Sequence, residues 1–321
     1  MNIILGGTGH IGSVVAKELI RQGQPVTIVT QHPDKASELQ AEGASIACLD
    51  VTGKVALHKL LLSGERLFLL NPPALPSTDT VKEERTTLQA ILTALKGSGI
   101  NHVVAASTYG ARPGEGQGDF NVLYEMEEAL YEMPLTCSII RSAYYMSNWD
   151  GYLEGAKAGG VLPSFFPVDF ELPMVAPEDI GKFAASLMIE EAAVNSLHHL
   201  EGPKRYTPND VASAFSGALG EGVTALEILE EEWNEKFRSV GFSDEAADSY
   251  HQMTKATIEG NFNNLDGHVL GNTTIQQYVQ GLVANKYIQI NAADKTALSI
   301  SDTKYRIFLN LHSIKSNKKT N

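Results

Sequence analysis

Cysteine is scarce in this sequence, with only Cys48 and Cys137 among 321 residues. A disulfide framework is therefore not expected. No CxxC pair and no Cys/His cluster has the spacing of metal ligands, so no metal site is predicted. Both cysteines stand in apolar stretches, and we expect them to be buried thiols of a protein in a reducing compartment.

Long hydrophobic runs and an excess of basic residues are also lacking. No apolar run approaches the roughly 18 residues of a transmembrane helix. The N-terminal residues lack the basic lead and cleavage site of a signal peptide. The net charge of −13 argues against binding to a phosphate backbone. We therefore expect a cytoplasmic protein that binds neither nucleic acid nor membrane.

The positive charge that is present is concentrated at the C-terminus. Residues 286–321 contain seven Lys or Arg residues against two Asp. The segment has no interleaved aromatic platform of the kind that nucleic-acid-binding arms use. It is expected to be a basic tail, either a disordered solvated end or an added strand built on the apolar run at 305–311.

The first half of the chain alternates short apolar runs with helical patterns. The runs are rich in Val, Ile and Leu, as expected for strands that are buried on both faces. Strands are predicted at 2–5, 26–30, 45–49, 66–70, 102–106 and 135–140, and helices at 11–22, 33–42, 55–62, 79–96 and 120–132. This alternation predicts an α/β fold with a doubly wound parallel sheet of the Rossmann type over residues 1–150, with room for later segments to complete the sheet.

The alternation weakens after residue 150. Pro163, Pro167 and Pro173 interrupt a loop-rich stretch. Helical patterns then follow at 177–190, 207–219, 230–240 and 243–260, with a strand pattern at 225–229. Residues 151–285 are therefore predicted to form a smaller C-terminal α/β lobe that folds over the ends of the strands and carries the substrate site.

A glycine loop follows the first predicted strand directly and opens the first predicted helix. Its pattern is Gly6-x-x-Gly9-x-x-Gly12, the spacing of dinucleotide-binding loops. Gly6 would permit the tight turn, Gly9 would let the backbone approach a pyrophosphate, and Gly12 would let the helix pack close to the strand. The predicted cofactor contacts in this loop are Gly6, Gly7, Thr8, Gly9, His10, Ile11 and Gly12.

The end of the second predicted strand bears on the choice between NAD(H) and NADP(H). An acidic residue there would bind the ribose 2′-hydroxyl and repel a 2′-phosphate. The chain offers Gln31 instead, and Lys35 stands close enough to meet a phosphate as a point charge. Asp34 weakens this preference. The pattern favours NADP(H) over NAD(H), with Gln31 and Lys35 as the 2′-phosphate contacts.

Three further strand ends should meet the same edge of the sheet. Residues 50–51 follow the third strand, 71–73 the fourth and 107–110 the fifth. Each could be ordinary turn chemistry, but the carboxyl ends of parallel strands lie together and form the ligand crevice. The contacts predicted for adenine, ribose and nicotinamide are Asp50, Val51, Asn71, Pro72, Pro73 and Ser107.

An ordered set of motifs resembles the NmrA-like branch of the atypical short-chain dehydrogenases. It begins with the glycine loop and continues through residues 31–36 (QHPDKA, against the family's Arg-x-Pro-x-Lys-Ala), 124–130 (YEMEEAL), 140–148 (IRSAYYMSN), 177–181 (PEDIG), 201–203 (EGP) and 273–274 (TT). The resemblance spans about residues 1–285. It implies a Rossmann domain with a small C-terminal lobe, NADP(H) binding, and a nicotinamide pocket lined by residues 145–148, with Tyr145 and Asn148 as cofactor contacts.

Two departures concern the chemistry. Gln31 stands where the family has an arginine on the 2′-phosphate, and Leu123 stands where many relatives carry a lysine. Ordinary short-chain dehydrogenases use Tyr-x-x-x-Lys, in which the lysine lowers the pKa of the tyrosine. Here Tyr124 is followed by Glu128, whose charge would raise that pKa. The usual proton-transfer pair is absent, and the segment is expected to be an acidic, solvent-facing helix.

Two functions fit these observations. The first is an NAD(P)H-dependent oxidoreductase that transfers hydride to a quinone or a similar small carbonyl or aromatic acceptor, with Tyr109, Tyr145 and Asn148 as catalytic candidates. The second is a catalytically weak NADP(H)-sensing regulator that binds a protein partner. Flat rings could stack on Tyr109, Tyr144, Tyr145, Trp149, Phe165 and Phe166, which favours the enzyme, although each could equally be core packing. The expected partner is a small molecule, with a homodimer or a regulatory protein as further options.

Overall fold

The computed structural model describes residues 1–191, 193–260, 262–263 and 265–293. Its strands are β1 Asn2–Leu5, β2 Val26–Thr30, β3 Ser45–Cys48, β4 Arg66–Leu69, β5 His102–Thr108, β6 Thr136–Ser142, β7 Tyr144–Tyr145, β8 Val161–Ser164, β9 Met174–Val175, β10 Ser196–Glu201, β11 Thr224–Glu227 and β12 His268–Leu270. Eight of them form one parallel sheet in the order β12-β10-β6-β5-β4-β1-β2-β3. The remaining four form the parallel pairs β11-β8 and β7-β9.

Helices cover both faces of the main sheet and build the second lobe. They are α1 Gly12–Arg21, α2 Ser37–Ala41, α3 Lys54–Leu61, α4 Thr80–Leu95, α5 Asp119–Tyr131, α6 Leu153–Gly159, α7 Pro177–Ile189, α8 Pro208–Leu219, α9 Trp233–Ser239, α10 Asp244–Ile258 and α11 Ile275–Ala293. Short 3₁₀ turns occupy Pro33–Ala36, Met146–Tyr152 and Glu230–Glu232. The doubly wound Rossmann fold with a smaller C-terminal lobe is confirmed.

The main sheet is buried on both faces, which explains the continuous apolar runs of its strands. Along β1, Ile4 points to the face that α1 and α7 cover, where Val15 and Ala184 lie in the same core cluster. Ile3 and Leu5 belong to the opposite cluster, together with residues of α3, α4 and α5. Each strand therefore contributes alternate side chains to two separate cores.

The sheet is completed by segments from the second half of the chain. β10 pairs with β6, and β12 pairs with β10. The apolar patterns assigned no strand at either position. The limit at residue 150 between the two predicted domains stays a prediction, since the main sheet draws on residues from both sides of it.

The second lobe has a core of its own. Met146, Leu162, Phe215 and Ile275 are fully buried in one cluster, which joins the Met146–Tyr152 turn to β8, α8 and α11. A smaller cluster joins α9 to α10. This α9–α10 pair lies beside the carboxyl ends of the main strands, where its residues help to line the cavity described below.

Two expectations about single segments differ from the structure. Cys137 is buried but Cys48 is exposed, because β3 is the edge strand of the main sheet. The predicted basic tail begins inside α11, which continues to Ala293. The strand predicted at 305–311 lies outside the described residues. Among the helices of the described ranges, none is long and apolar enough to cross a membrane.

Candidate functional site

The strand order of the main sheet reverses between β1 and β4. β1 pairs with β2 on one side and β4 on the other, so the connections from these strands leave in opposite directions. In doubly wound folds the ligand crevice opens at this switch point, outside the carboxyl ends of the strands. Most of the predicted cofactor contacts lie on the loops that follow β1, β2, β3 and β4, whereas Ser107 lies within β5 and Tyr145 within β7.

The glycine loop has the geometry of a pyrophosphate cradle. Gly6 has a φ of +66°, which favours glycine, and its carbonyl oxygen accepts a hydrogen bond from the Gly9 N–H at 2.9 Å. A Cβ on Gly12 would collide with the Gly6 carbonyl, so the start of α1 packs directly against the loop. Gly9 is exposed, and a Cβ there would approach the same carbonyl only to 3.3 Å. The tight turn at Gly6 and the close packing at Gly12 are the roles that the spacing predicts for these two glycines, and the pyrophosphate contact of Gly9 stays a prediction.

The N-terminus of α1 is suited to an anion. No side chain caps it, and its first turn contains no acidic residue. Ser13 and Val14 donate their N–H groups to carbonyls of the preceding loop, at 3.0 Å each. The helix dipole nevertheless places partial positive charge at this end, which a phosphate group would complement.

The end of β2 lies beside the glycine loop. The hydroxyl oxygens of Thr8 and Thr30 are 3.5 Å apart, and the Thr30 hydroxyl accepts a hydrogen bond from the His32 N–H at 3.0 Å. Beyond this turn Gln31 and Lys35 are both exposed, Lys35 within the Pro33–Ala36 turn. Both residues lie on the segment that follows β2, and the end of β2 contacts the glycine loop through Thr30.

Asp50 and Val51 follow β3 at the same edge of the sheet. The Asp50 carboxylate accepts a hydrogen bond from the Thr52 N–H at 2.8 Å, so it shapes its own turn. It remains exposed, and Val51 is half-buried. The turn role and the predicted adenine contact are compatible, because a carboxylate has several acceptor positions.

The loop after β4 is fixed to α4. The Asn71 side-chain amide donates to the Glu84 carbonyl at 3.1 Å, and the Glu84 carboxylate accepts from the Ala74 N–H at 2.9 Å. The Asn71 Oδ1 is buried and has no hydrogen-bond partner among the described residues. An unsatisfied buried acceptor costs free energy unless a ligand supplies a donor. The segment 71–73 thus forms a rigid wall, and Asn71 Oδ1 is available in it as a hydrogen-bond acceptor.

Ser107 corrects the prediction for the fifth strand. Its side chain is only 1% exposed, and its hydroxyl donates to the Glu127 carboxylate beneath the sheet edge rather than facing the crevice. Glu127 is equally buried and pairs with Arg141 of β6. The helix that was predicted to be acidic and solvent-facing is α5. Its Glu128 is exposed as expected, but its Glu127 is buried.

Tyr109 follows β5 at the mouth of the crevice. Its ring lies 5.5 Å from that of Phe262 and 5.6 Å from that of His199, measured between centroids. The hydroxyl is buried and has no hydrogen-bond partner among the described residues. Burial raises the pKa of Tyr109 far above its ordinary value. The side chain is therefore a neutral phenol that can donate a hydrogen bond to a ligand or accept one from it.

The segment 144–148 crosses the same crevice. Tyr144 and Tyr145 form β7, which pairs with β9 and so anchors the segment to the second lobe. Burial raises the pKa of Tyr145 to about 12 and that of Tyr144 further. Asn148 is exposed in the turn that follows. The structure brings all three catalytic candidates, Tyr109, Tyr145 and Asn148, into the lining of one cavity.

That cavity has a volume of about 490 Å³ and is lined in part by residues that follow β4 and β5 at the carboxyl edge of the sheet. Its walls include Pro73 and Tyr145, which are predicted to lie beside the nicotinamide, and the catalytic candidate Tyr109. Five of the six aromatic residues that the sequence suggested line it: Tyr109, Tyr144, Tyr145, Phe165 and Phe166. Trp149 does not, because it is buried behind Tyr144 with the two rings 6.1 Å apart.

Sequence reasoning missed the contribution of the C-terminal helices. Phe237 of α9, Phe242 between the helices and Tyr250 of α10 line the cavity, and so does Phe262. Phe237 stacks on Phe165 with centroids 4.3 Å apart. The local pattern of α9 and α10 predicts helices, but it does not indicate which part of the crevice they meet.

Asp119 was missed as well. It is the first residue of α5, it is 7% exposed, and it lines the cavity. Its carboxylate accepts a hydrogen bond from the Thr80 hydroxyl at 3.1 Å, and its N–H donates to the Ser249 hydroxyl at 3.1 Å. Burial raises the pKa of Asp119 from its ordinary 3.8 to about 6. No sequence signal distinguishes it from an ordinary acidic residue at a helix N-terminus.

The usual tyrosine and lysine pair is missing from this cavity. Tyr124 is half-buried outside its lining, and Leu123 is an apolar part of the wall. Among the described residues, no cluster of three His, Cys, Asp or Glu side chains is arranged to hold a metal ion. The residues that are present fit a dinucleotide, given the glycine cradle, the uncapped helix and the spare Asn71 acceptor.

Comparison with known proteins agrees with this geometry. The NmrA-like family matches residues 2–279. The chain is 24% identical over 254 residues to an NAD(P)H azoreductase from Xenophilus azovorans, covering 79% of this chain and 86% of that protein. It is 23% identical over 251 residues to quinone oxidoreductase 2 from Escherichia coli (strain K12), covering 77% and 85%.

A solved structure extends the comparison to the fold. Triphenylmethane reductase from Citrobacter sp., complexed with NADP(H), matches with a TM-score of 0.71 at 17% identity. The match covers 88% of this chain and 99% of that chain. At this identity the likeness concerns the fold alone.

Proposed function

Since this chain belongs to the NmrA-like family and has its NAD(P)-binding Rossmann fold, we propose that it is an NAD(P)H-dependent oxidoreductase acting on a quinone or a similar electron-poor aromatic acceptor. The observation that carries the proposal is the aromatic-walled cavity of about 490 Å³ at the nicotinamide end of the crevice. A sensor that only reads the cofactor has no use for an apolar chamber of this size beyond it. The azoreductase and quinone oxidoreductase relatives support the same class of reaction.

The cofactor would be held by the loops after the first four strands. The glycine loop and the N-terminus of α1 would bind the pyrophosphate, and Asp50 the adenine end. Gln31 and Lys35 would contact a 2′-phosphate, which favours NADP(H). Asn71, Pro73 and Tyr145 would fix the nicotinamide end. When bound, the reduced nicotinamide supplies the hydride.

The chain's own residues would position the acceptor and exclude water. Rings such as Tyr144, Phe165 and Phe237 offer flat surfaces on which an aromatic acceptor can stack. Tyr109 and Tyr145 would stay protonated, since burial raises the pKa of both. They can therefore orient an acceptor oxygen by hydrogen bonding but are weak acids. A quinone needs no stronger acid, because it accepts hydride readily and its product can take a proton from water.

A turnover assay with the purified chain tests this proposal. NADPH oxidation would be followed with 1,4-naphthoquinone, menadione and a neutral azo compound as acceptors, beside calorimetry with NADP⁺ and NADPH. We expect turnover with at least one acceptor. Tight cofactor binding without turnover of any acceptor would instead favour the sensing role. The homodimer and the protein partner stay predictions.

A further inference from the structure

The orientation of the Tyr109 side chain depends on the rings around it. Its buried hydroxyl has no hydrogen-bond partner among the described residues, so no polar contact there fixes the direction of the phenol. The ring packs against His199, with centroids 5.6 Å apart, and against Phe262, with centroids 5.5 Å apart. His199 belongs to β10, and its Nδ1 lies 2.7 Å from the Asp266 carbonyl oxygen, so this ring is fixed by the sheet. Phe262 lies between α10 and β12, outside any helix or strand, and needs another support.

Arg205 provides that support. Its Nη2 donates a hydrogen bond to the Phe262 carbonyl oxygen at 2.6 Å, and its Nη1 donates to the side-chain oxygen of Asn263 at 2.9 Å. A guanidinium is a planar fork, so two bonds from one group fix the direction of the partner as well as its distance. Because one of the two acceptors belongs to the main chain of Phe262, Arg205 sets the position from which the Phe262 ring extends.

Arg205 is in turn anchored to the main sheet. Its Nε lies 3.6 Å from a carboxylate oxygen of Glu201, the last residue of β10, and the other oxygen lies 3.0 Å from Nε2 of His268 in β12. Glu201 is only 6% exposed, and an ion pair at a buried carboxylate is screened much less than one at the surface. A continuous series of contacts therefore leads from the end of β10 through Arg205 to the Phe262 ring.

The series ends at the cavity. Phe262 and Tyr109 both line it, whereas Arg205 lies outside its lining. We propose that Arg205 is a positioning residue for the acceptor: it holds the Phe262 ring against Tyr109 and so fixes one aromatic wall and the direction of the Tyr109 hydroxyl. The inference rests on the proposed function, to which it adds a residue that acts on the acceptor only through its neighbours. Hydride transfer is sensitive to positioning of this kind.

The test is a double-mutant cycle in the full chain. Arg205→Met, Phe262→Ala and the double variant would be assayed for kcat, for the KM of menadione and for the KM of NADPH. We expect Arg205→Met to raise the KM of menadione roughly threefold to tenfold, the range of one lost aromatic contact. The KM of NADPH should not change, because neither residue is a predicted cofactor contact. Arg21→Met, which removes an exposed arginine paired with Glu18, should change none of these constants.

The double variant separates positioning from a general structural role. If Arg205 acts through Phe262, it has nothing left to position in Phe262→Ala, so the double variant should have the KM of Phe262→Ala alone. Additive increases of KM, or a wild-type KM in Phe262→Ala, would overturn the inference. Arg205→Lys keeps the charge beside Glu201 but has no fork, so we expect it to restore the free energy of unfolding and not the KM. It replaces Arg205→Met in the cycle if that variant does not fold.

Calorimetric titration of menadione into the NADP⁺-bound protein repeats the cycle without turnover. The dissociation constants should follow the same pattern as the KM values. A wild-type protein that binds menadione but oxidises NADPH with no acceptor would refute the proposed function, and the binding cycle would still decide the role of Arg205. Failure of the wild-type protein to bind menadione would overturn both.

Discussion

The guanidinium of Arg141 grips the carboxylate of Glu127 beneath the crevice, with Nη2 2.6 Å from Oε2 and Nε 3.0 Å from Oε1. Glu127 is 1% exposed, so its charge depends on this partner and on the Ser107 hydroxyl. Arg141 lies in β6, directly before the segment that carries Tyr144 and Tyr145. The pair therefore connects α5 to the strand that leads into the segment 144–148.

Removal of Arg141 should lower the stability of the fold because it leaves the buried Glu127 carboxylate without a cationic partner. We expect Arg141→Met to lower the free energy of unfolding by about 3–5 kcal/mol. Lys182→Met, which breaks an exposed ion pair with Glu178, should change it by less than about 1 kcal/mol. Urea denaturation of both variants measures the difference. Equal effects would mean that Glu127 is stabilised by something other than Arg141.

Gly9 should be required for the cofactor and dispensable for the fold. Gly9→Ala places a methyl group where the backbone must approach a pyrophosphate, and affinity for NADPH should fall at least roughly tenfold. The added Cβ would meet only the Gly6 carbonyl, at 3.3 Å, so the folded state should persist. Gly217→Ala, in α8 with open space around it, is the matched control. Fluorescence titration that finds undiminished affinity in folded Gly9→Ala would refute the dinucleotide assignment.

Gln31 should limit the preference for NADP(H). Gln31→Arg adds a forked donor near Lys35, which should strengthen NADPH binding by about 1–3 kcal/mol and leave NADH binding nearly unchanged. Gln89→Arg adds the same charge on an exposed face of α4 and should alter neither. Dissociation constants for both cofactors decide the matter. A wild-type preference for NADH would contradict our interpretation of this strand end.

Tyr124 should matter little to turnover and Tyr145 considerably. Loss of a general acid typically costs ~10²–10⁴-fold in rate, and we expect Tyr124→Phe to retain most of its kcat because its side chain lies outside the cavity lining. Tyr145→Ala should lower kcat/KM by at least roughly tenfold through lost positioning. Tyr145→Phe, which keeps the ring, separates packing from hydrogen bonding. A thousandfold loss in Tyr124→Phe alone would move the active site to α5.

Asp119 should make stability depend on pH in an unusual direction. Its pKa is about 6 in the folded protein against an ordinary 3.8, so the folded state binds the proton more tightly. Its contribution is most favourable below about pH 4 and is lost as the pH rises through 6. Asp119→Asn should therefore be more stable than wild type by about 2–3 kcal/mol at pH 8, with the gap closing toward pH 4. Denaturation curves at several pH values test this, and a gap independent of pH would contradict it.

The cofactor half of the site could be predicted from the sequence because its features are formed by residues that are close together in the chain. A glycine loop, a strand before it and a helix after it are contiguous, and parallel strands bring their carboxyl ends together whatever the loops contain. The six predicted strands of the first half all occur, with ends that differ by at most two residues. The second lobe's strand at 225–229 likewise occurs, as Thr224–Glu227.

The substrate half escaped prediction because it depends on tertiary packing. The direction of the Ser107 side chain, toward the crevice or toward Glu127, depends on the face of β5 on which it lies. The sequence of a strand that is buried on both faces does not reveal this. Asp119 becomes unusual only when α10 covers it, and Cys48 becomes exposed only because β3 has no outer neighbour. Part of the aromatic wall comes from α9 and α10, which begin more than 80 positions beyond the segment 144–148.

β10 pairs with β6 in the main sheet but is synthesised more than 50 residues after it, which affects the nascent chain. Ser138 of β6 and Ser196 of β10 are hydrogen-bonded although they stand 58 positions apart. A nascent chain that has left the ribosome as far as residue 150 therefore contains the six main-sheet strands β1–β6 and the whole glycine loop, yet β6 still presents an unpaired row of backbone N–H and C=O groups. Such an edge invites pairing with another chain. Residues 1–150 thus contain the predicted cofactor contacts but leave β6 as an unpaired edge strand. We expect a fragment that ends at residue 150 to aggregate rather than bind nucleotide.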